Sequence, residues 1–335
     1  METDEALRRT LVAVRRQIPQ DKWDSFADGI ANARRPLEEN MRADRPADNF
    51  SALLPTLKSC SHAMLPVRLT GVSDIRSHLD QLPVYKGPHP HTFPDNKPLP
   101  IAQASAEFPI VSYRWQDVVY APGLMDQLND PRLIDLIEAY LGCVPTLYGV
   151  NAYWSFPADE PQLYYQQHFH RDTDDWRFVA LFIYLTDVDH GAGPHQLVPG
   201  SHSLEGTVAL TDVDRSWNPF NKPDASVVEA RRFAERSFTD SIGAEFSELC
   251  NRHMAGKAHS VVGPAGTMFL VNTLALHRGL TPVSQPRLVV WARYGLAPPA
   301  ELPPPIPMID QVSPLRIPDT PRNRYINRLI FDFGG

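Results

Sequence analysis

The segment "QQHFHRDTDDWRFVALFIYLTDV", residues 166–188, joins a polar stretch rich in metal-ligand residues to an apolar one. Its second half, from Phe178 to Leu185, is an unbroken apolar run rich in aromatic and branched side chains, bounded by charged and turn-forming residues. Such a run is the signature of a strand buried on both faces. Its first half places two histidines and three aspartates directly beside that strand.

Working outward, the apolar period changes from 3.6 to 2 after about residue 144. "PTLYGVNAYWSF" (145–156), "LYYQQHFHRD" (163–172), "HQLVPGSH" (195–202), "GTMFLVNTLALH" (266–277) and "RLVVWARYGL" (287–296) read as strands separated by Gly, Pro and Asp signals. The pattern is that of an antiparallel sandwich or closed barrel. "NDPRLIDLIEAYLG" reads as a helix, with Asp130 as N-cap, Pro131 in its first turn and Gly142 just past its end. Residues 203–257 read as an insertion with helical stretches near 224–237 and 241–254.

Upstream, Leu7, Leu11, Val14 and Ile18 recur at helical spacing, and Asp21 is placed to cap a second helix carrying Trp23, Phe26 and Ile30 that Pro36 bends or ends. From 45 to 110 the chain is proline-rich, with one short helix expected over 74–82, started by Ser73. The organisation expected is a helical and proline-rich region, 1–110, packed on a core, 111–335.

The 335 residues are 43% hydrophobic and 21% charged with 33 prolines, a globular composition with many fixed loops. The net charge of −7 and the lack of a basic run flanked by aromatics give a nucleic-acid groove no support. Cys60, Cys143 and Cys250 are far apart and form no CxxC pair, so buried reduced thiols are expected. No apolar run nears the roughly 18 residues of a spanning helix, and the first residues lack an uninterrupted apolar core. A cytoplasmic location is expected.

A His-x-Asp pair alone says little, since about one is expected by chance here. His78-Leu79-Asp80 falls on a helical pattern, where residues two apart diverge by about 200°. His170 and Asp172 lie in a strand-like run, where side chains two apart share a face and can converge on one ion. Strand parity selects His277 as the third ligand: Phe269, Val271, Thr273, Ala275 and His277 would form one inward row ending in an imidazole. Arg287 opens the next run, and Arg287, Val289, Trp291 and Arg293 share a face. If 277 and 287 sit on adjoining strands, a guanidinium suited to a carboxylate faces the metal cavity. Two histidines and one carboxylate with open positions form the facial triad of non-haem Fe(II) oxygenases.

In "HRD" (170–172), "GPHQLVPGSH" (193–202) and "HRGLTP" followed by Arg287, the chain resembles the phytanoyl-CoA dioxygenase family of Fe(II)/2-oxoglutarate oxygenases over about residues 145–296. The resemblance implies a mainly β fold, a double-stranded β-helix (jelly roll, cupin-like) with helices packed outside. It implies that His170, Asp172 and His277 bind Fe(II) and that Arg287 binds the distal carboxylate of 2-oxoglutarate. Tyr184 is a further cosubstrate candidate, with Gln167 and Asn151 as weaker ones; Trp176, His168 and His195 are candidates for substrate contact. The implied reaction uses O2, decarboxylates 2-oxoglutarate to succinate and hydroxylates or otherwise oxidises an unactivated C–H of a small organic molecule. The carboxylate at 172 speaks against the halogenases of this family. No CoA-binding patch is identifiable, so the family's name does not give the substrate.

Two other readings are open. "HFHRD" fits the beginning of the HxHxDH pattern of dinuclear zinc hydrolases, with His168 as a ligand, although Thr173 stands where that pattern has histidine. A jelly-roll binding module without catalysis is the other. The aromatic and basic residues assigned to the mouth, among them Trp154, Tyr164, Tyr165, Trp176, Arg171 and His195, suit a polar or anionic small molecule or a sugar-bearing or ring-containing natural product; a lipid-like metabolite is a further class of partner. Asp174 and Asp175 are expected to form a solvated acidic turn.

Overall fold

The computed structural model of the chain describes residues 18–35, 38, 41, 49–90, 95–158, 165–211, 225–238, 243–296 and 317–333. The expected helix over Leu7, Leu11 and Val14, together with Pro36 and Tyr164, lies outside them.

Two antiparallel sheets face each other. The larger has the order β1-β8-β5-β10-β4-β3-β2, made of His62–Arg68, Thr267–Val271, Phe178–Tyr184, Arg287–Gly295, Thr146–Ser155, Ile110–Ser112 and Tyr85–Lys86. The smaller has the order β7-β6-β9, made of His259–Val261, His195–Leu197 and His277–Gly279. This is a double-stranded β-helix core with helices outside, as expected.

β5 is buried along its whole length because both its faces are covered. Ala180, Phe182 and Tyr184 point into the space between the sheets with Leu197, Val261 and Phe269. Val179, Leu181 and Ile183 point the other way into the main core, where helix Pro131–Leu141 packs Ile134, Ile137 and Leu141. That helix begins and ends where the sequence signals: the Asp130 side chain accepts from the Arg132 N–H, and Gly142 takes φ 90°. Helix Trp23–Arg34 stops two residues before Pro36, and is preceded by a 3-10 turn over Gln20–Lys22 with Lys22 at the N-cap position. The insertion carries Ala225–Arg236 and Ala244–Met254 as expected, preceded by Leu204–Leu210.

Several expectations are corrected. The short helix runs Val72–Leu79, because Gly71, in the left-handed region at φ 70°, starts it ahead of Ser73. "LYYQQHFHRD" is not a continuous strand: Tyr165–Gln167 form a 3-10 turn, and His170 makes a single bridge to His277. "GTMFLVNTLALH" is not one strand either. β8 ends at Val271, where the Asn272 side chain accepts from the Leu274 N–H and turns the chain out of the large sheet. His277 then opens β9 in the small sheet. Consequently 277 and 287 are on opposite sheets rather than adjoining strands.

The large sheet also takes β1 and β2 from upstream of residue 111. All three cysteines are free thiols, with Cys143 and Cys250 buried. Among the described residues no helix is long and apolar enough to cross a membrane.

Candidate metal and oxo-acid site

The loop between β4 and β5 delivers His170 and Asp172, and the first residue of β9 is His277. Two reciprocal backbone hydrogen bonds of 3.0 Å tie His170 to His277, and the Asp172 N–H donates to Thr273 O at 2.9 Å. The pairing keeps 170 and 172 extended, so their side chains emerge on the same side although no regular strand runs through them.

One ligand atom from each of His170, Asp172 and His277 falls within 4.8 Å of the others. All three side chains are buried. Asp172 Oδ1 is 3.7 Å from His170 Nε2, and Oδ2 is 3.7 Å from His277 Nε2.

The protonation pattern suits a cation. His170 Nδ1 lies 2.8 Å from the His168 carbonyl and His277 Nδ1 lies 2.9 Å from that of Ala275. A carbonyl only accepts, so each Nδ1 carries the proton and each Nε2 lone pair is directed at the shared space. Burial pushes the pKa of His170 down, and burial aided by the neighbouring His170 takes His277 to about 3. Burial alone would raise the pKa of Asp172, but the Arg293 guanidinium that donates to it is the largest opposing influence, and the carboxylate stays ionised. Two neutral imidazoles and one anion are therefore ready to hold a divalent metal without shedding a proton. A metal fits here by donor set, tautomer and charge.

These ligands line a cavity with Tyr153, Phe182, His195, Gly279 and Trp291. Arg287 is not among the lining residues; it lies behind two of them, Gly279 and Tyr153. A Cβ added at Gly279 would stand 3.0 Å from Arg287 Nη2, and the guanidinium lies 6.0 Å from the centre of the Tyr153 ring. Arg287 is 3% exposed. Its guanidinium donates to the Gly193 carbonyl and, at 3.3 Å, to Ser155 Oγ, while its Nε has no partner. Among the described residues no carboxylate pairs with this buried cation. An unneutralised buried charge is costly, so the arrangement is incomplete without an anion.

The remaining candidates divide. His195 is buried against Phe182, at 4.5 Å between ring centres, and its Nε2 lacks a partner within the cavity wall. Burial, reinforced by His277 and Arg287, keeps its imidazole neutral. The Tyr184 hydroxyl donates to Val261 O at 2.8 Å and accepts from the His195 N–H at 3.0 Å, so it fixes the strand that carries His195. Asn151 donates from its amide to Pro88 O at 2.9 Å and meets His89 Nδ1 at 3.1 Å, holding the 88–89 segment on the cavity. Gln167 donates to Thr281 Oγ1 at 3.0 Å, whereas its neighbour Gln166 lines the cavity. His168 supplies the carbonyl that orients His170, and its ring is not part of the metal-capable group. Trp176 packs on Phe26 of the N-terminal helix at 4.4 Å between ring centres, away from the cavity lining.

Two assignments of surface character are overturned. Arg171 is not at a mouth: it is 1% exposed and all its hydrogen bonds are internal. Asp174 and Asp175 are not a solvated turn, since Asp175 is buried and Asp174 takes hydrogen bonds from Tyr148 and Arg293. Sequence reasoning also missed a role for Arg293, which donates to both Asp172 and Asp174. Its placement on the face shared with Arg287 was the available signal.

No protein-family model matches the chain. No curated protein matches it either. Among solved structures it is similar to HygX from Streptomyces hygroscopicus with nickel, 2-oxoglutarate and hygromycin B bound, at 15% identity over 73% of this chain and 86% of that one, TM-score 0.43. It is similar to SnoN, a non-heme alpha ketoglutarate dependent epimerase from nogalamycin biosynthesis, at 16% identity over 72% and 81%, TM-score 0.44. It is also similar to EctD from S. alaskensis with bound Fe, at 14% identity over 76% and 79%, TM-score 0.40.

Proposed function

We propose that the chain is an Fe(II)- and 2-oxoglutarate-dependent oxygenase that oxidises a C–H bond of a small organic molecule. The observation that carries the reading is a metal-ready His170–Asp172–His277 group in a cavity backed by Arg287, a buried guanidinium with no carboxylate of its own among the described residues. A 2-oxo acid satisfies both halves, with its oxo and carboxylate oxygens toward the metal and its far carboxylate toward Arg287.

Iron held there would couple the reduction of O2 to decarboxylation of 2-oxoglutarate to succinate and CO2, and so to oxidation of the substrate. The chain's own residues do the rest. His170 and His277 present neutral Nε2 atoms fixed by backbone carbonyls. Arg287 orients the cosubstrate by its distal carboxylate. Phe182, Trp291 and the 88–89 segment held by Asn151 wall the cavity and limit water. His195 Nε2 is positioned to meet a polar group of a bound molecule. Hydroxylation is the outcome this arrangement suits most simply, and a natural product, sugar-bearing or lipid-like metabolite is the substrate class.

Calorimetric titration of Mn(II)-loaded protein with 2-oxoglutarate tests the pairing of metal and guanidinium. One site is expected, and Arg287→Ala should weaken it about ten- to a hundredfold, the equivalent of about 1.5–3 kcal/mol for a charge-assisted contact. Equal binding by both proteins would remove Arg287 from the site, and no binding by either would contradict the reading.

A further inference from the structure

Asp172 stands almost symmetrically between the two imidazoles. Each of its oxygens is 3.7 Å from one Nε2, so nothing in the three ligands themselves decides whether one oxygen or both would meet a cation.

Arg293 breaks the symmetry. Its Nη2 donates to Asp172 Oδ2 at 2.9 Å, leaving Oδ1 without that contact. Its Nη1 donates to Asp174 Oδ2, which also accepts from the Tyr148 hydroxyl at 3.2 Å. The guanidinium lies over Trp291, 4.7 Å from the ring centre, on the last residue before the register shift in β10. Held by two carboxylates and an aromatic face, the fork is fixed in direction.

We propose that Arg293 is a positioning residue that restricts Asp172 to one metal-facing oxygen, Oδ1; this rests on the iron and 2-oxoglutarate reading above. A guanidinium beside Oδ2 repels a cation from that oxygen and takes up one of its two lone pairs. The consequence is room at the metal. A metal held by two imidazoles and one carboxylate oxygen would keep room for both a chelating 2-oxo acid and O2. Held by both oxygens it would have less room, and binding of the oxo acid would suffer first.

Arg293 would set apart two affinities that a scaffolding role would move together. Arg293→Met frees Oδ2 and removes a positive charge near the metal. It should bind Mn(II) as tightly as the wild type or tighter, while 2-oxoglutarate binding to the Mn(II)-loaded protein weakens tenfold or more. Arg293→Lys retains one donor and the charge, and should recover 2-oxoglutarate affinity to within about threefold of wild type. Parallel loss of metal and oxo acid in the Met variant would overturn the inference in favour of simple loop support. Unchanged 2-oxoglutarate binding in the Met variant, or no recovery with Lys, would overturn it outright. A wild-type protein that takes up Mn(II) but not 2-oxoglutarate would defeat the parent reading and this one with it, a result visible before any variant is compared.

Discussion

Arg171 directs every nitrogen of its guanidinium into the protein. Nε donates to Ser237 O at 2.9 Å, one terminal nitrogen to Ser201 O and Leu274 O, and the other to Thr207 Oγ1 and Ser237 Oγ. The fork lies on the Phe238 ring, 3.9 Å from its centre, and burial lowers its pKa to about 9. It ties the helical insertion to the stretch that carries His170 and Asp172. Arg171→Met leaves several buried acceptors unsatisfied and should cost about 3 kcal/mol or more in denaturant unfolding; a loss below about 1 kcal/mol would contradict this role. At this scale the sequence was informative where chemistry is local. His170 and Asp172 are two residues apart, and the Asp130 cap and Gly142 are adjacent to their helix. Arg171 was misassigned because its partners lie 30 to 103 residues away, a distance no local pattern encodes.

Elements carry the site through two breaks in regularity. The turn at Asn272 moves the chain from the large sheet to the small one, which brings His277 opposite β10 instead of beside it. Alternation across 266–277 runs through this turn unbroken, so parity named the right residue from the wrong strand. β1 was missed although its exposure alternates, because Pro66 within it argues against a strand, and it is tolerated there only because β1 is an edge. The second break is Gly193, at φ 68°, whose carbonyl anchors Arg287. A Cβ there would sit 2.3 Å from Leu280 O and 2.6 Å from Pro282 N, contacts with backbone that cannot yield cheaply. Gly193→Ala should therefore lower stability by about 2 kcal/mol and weaken 2-oxoglutarate binding at the same time. Melting curves with and without 2-oxoglutarate measure both, and an unchanged ligand-induced rise in Tm would separate Gly193 from Arg287.

The whole molecule holds His62, His170, His195, His202 and His277 with pKa values lowered, in each case first by burial. At pH 7.5 these groups are neutral folded or unfolded. Below about 6.5 the unfolded chain takes up protons that the folded one refuses, so stability falls as pH drops. Tm of the metal-free protein should decline steadily from pH 7 to 5, and a Tm that rises over that range would contradict the burial of these imidazoles. The double-stranded β-helix was legible because its strands are buried on one or both faces and keep their apolar period. The region before residue 111 was not, since proline-rich composition does not say which short stretches find a strand partner.

Metal and 2-oxoglutarate are expected to meet in one cavity. Anaerobic titration of apoprotein with Fe(II), then 2-oxoglutarate, reads it directly through the visible charge-transfer absorption of the chelate. A band is expected that saturates near one 2-oxoglutarate per chain and fades in His277→Ala and Arg287→Ala. Absence of the band in wild type, with Zn(II) still bound tightly, would contradict it.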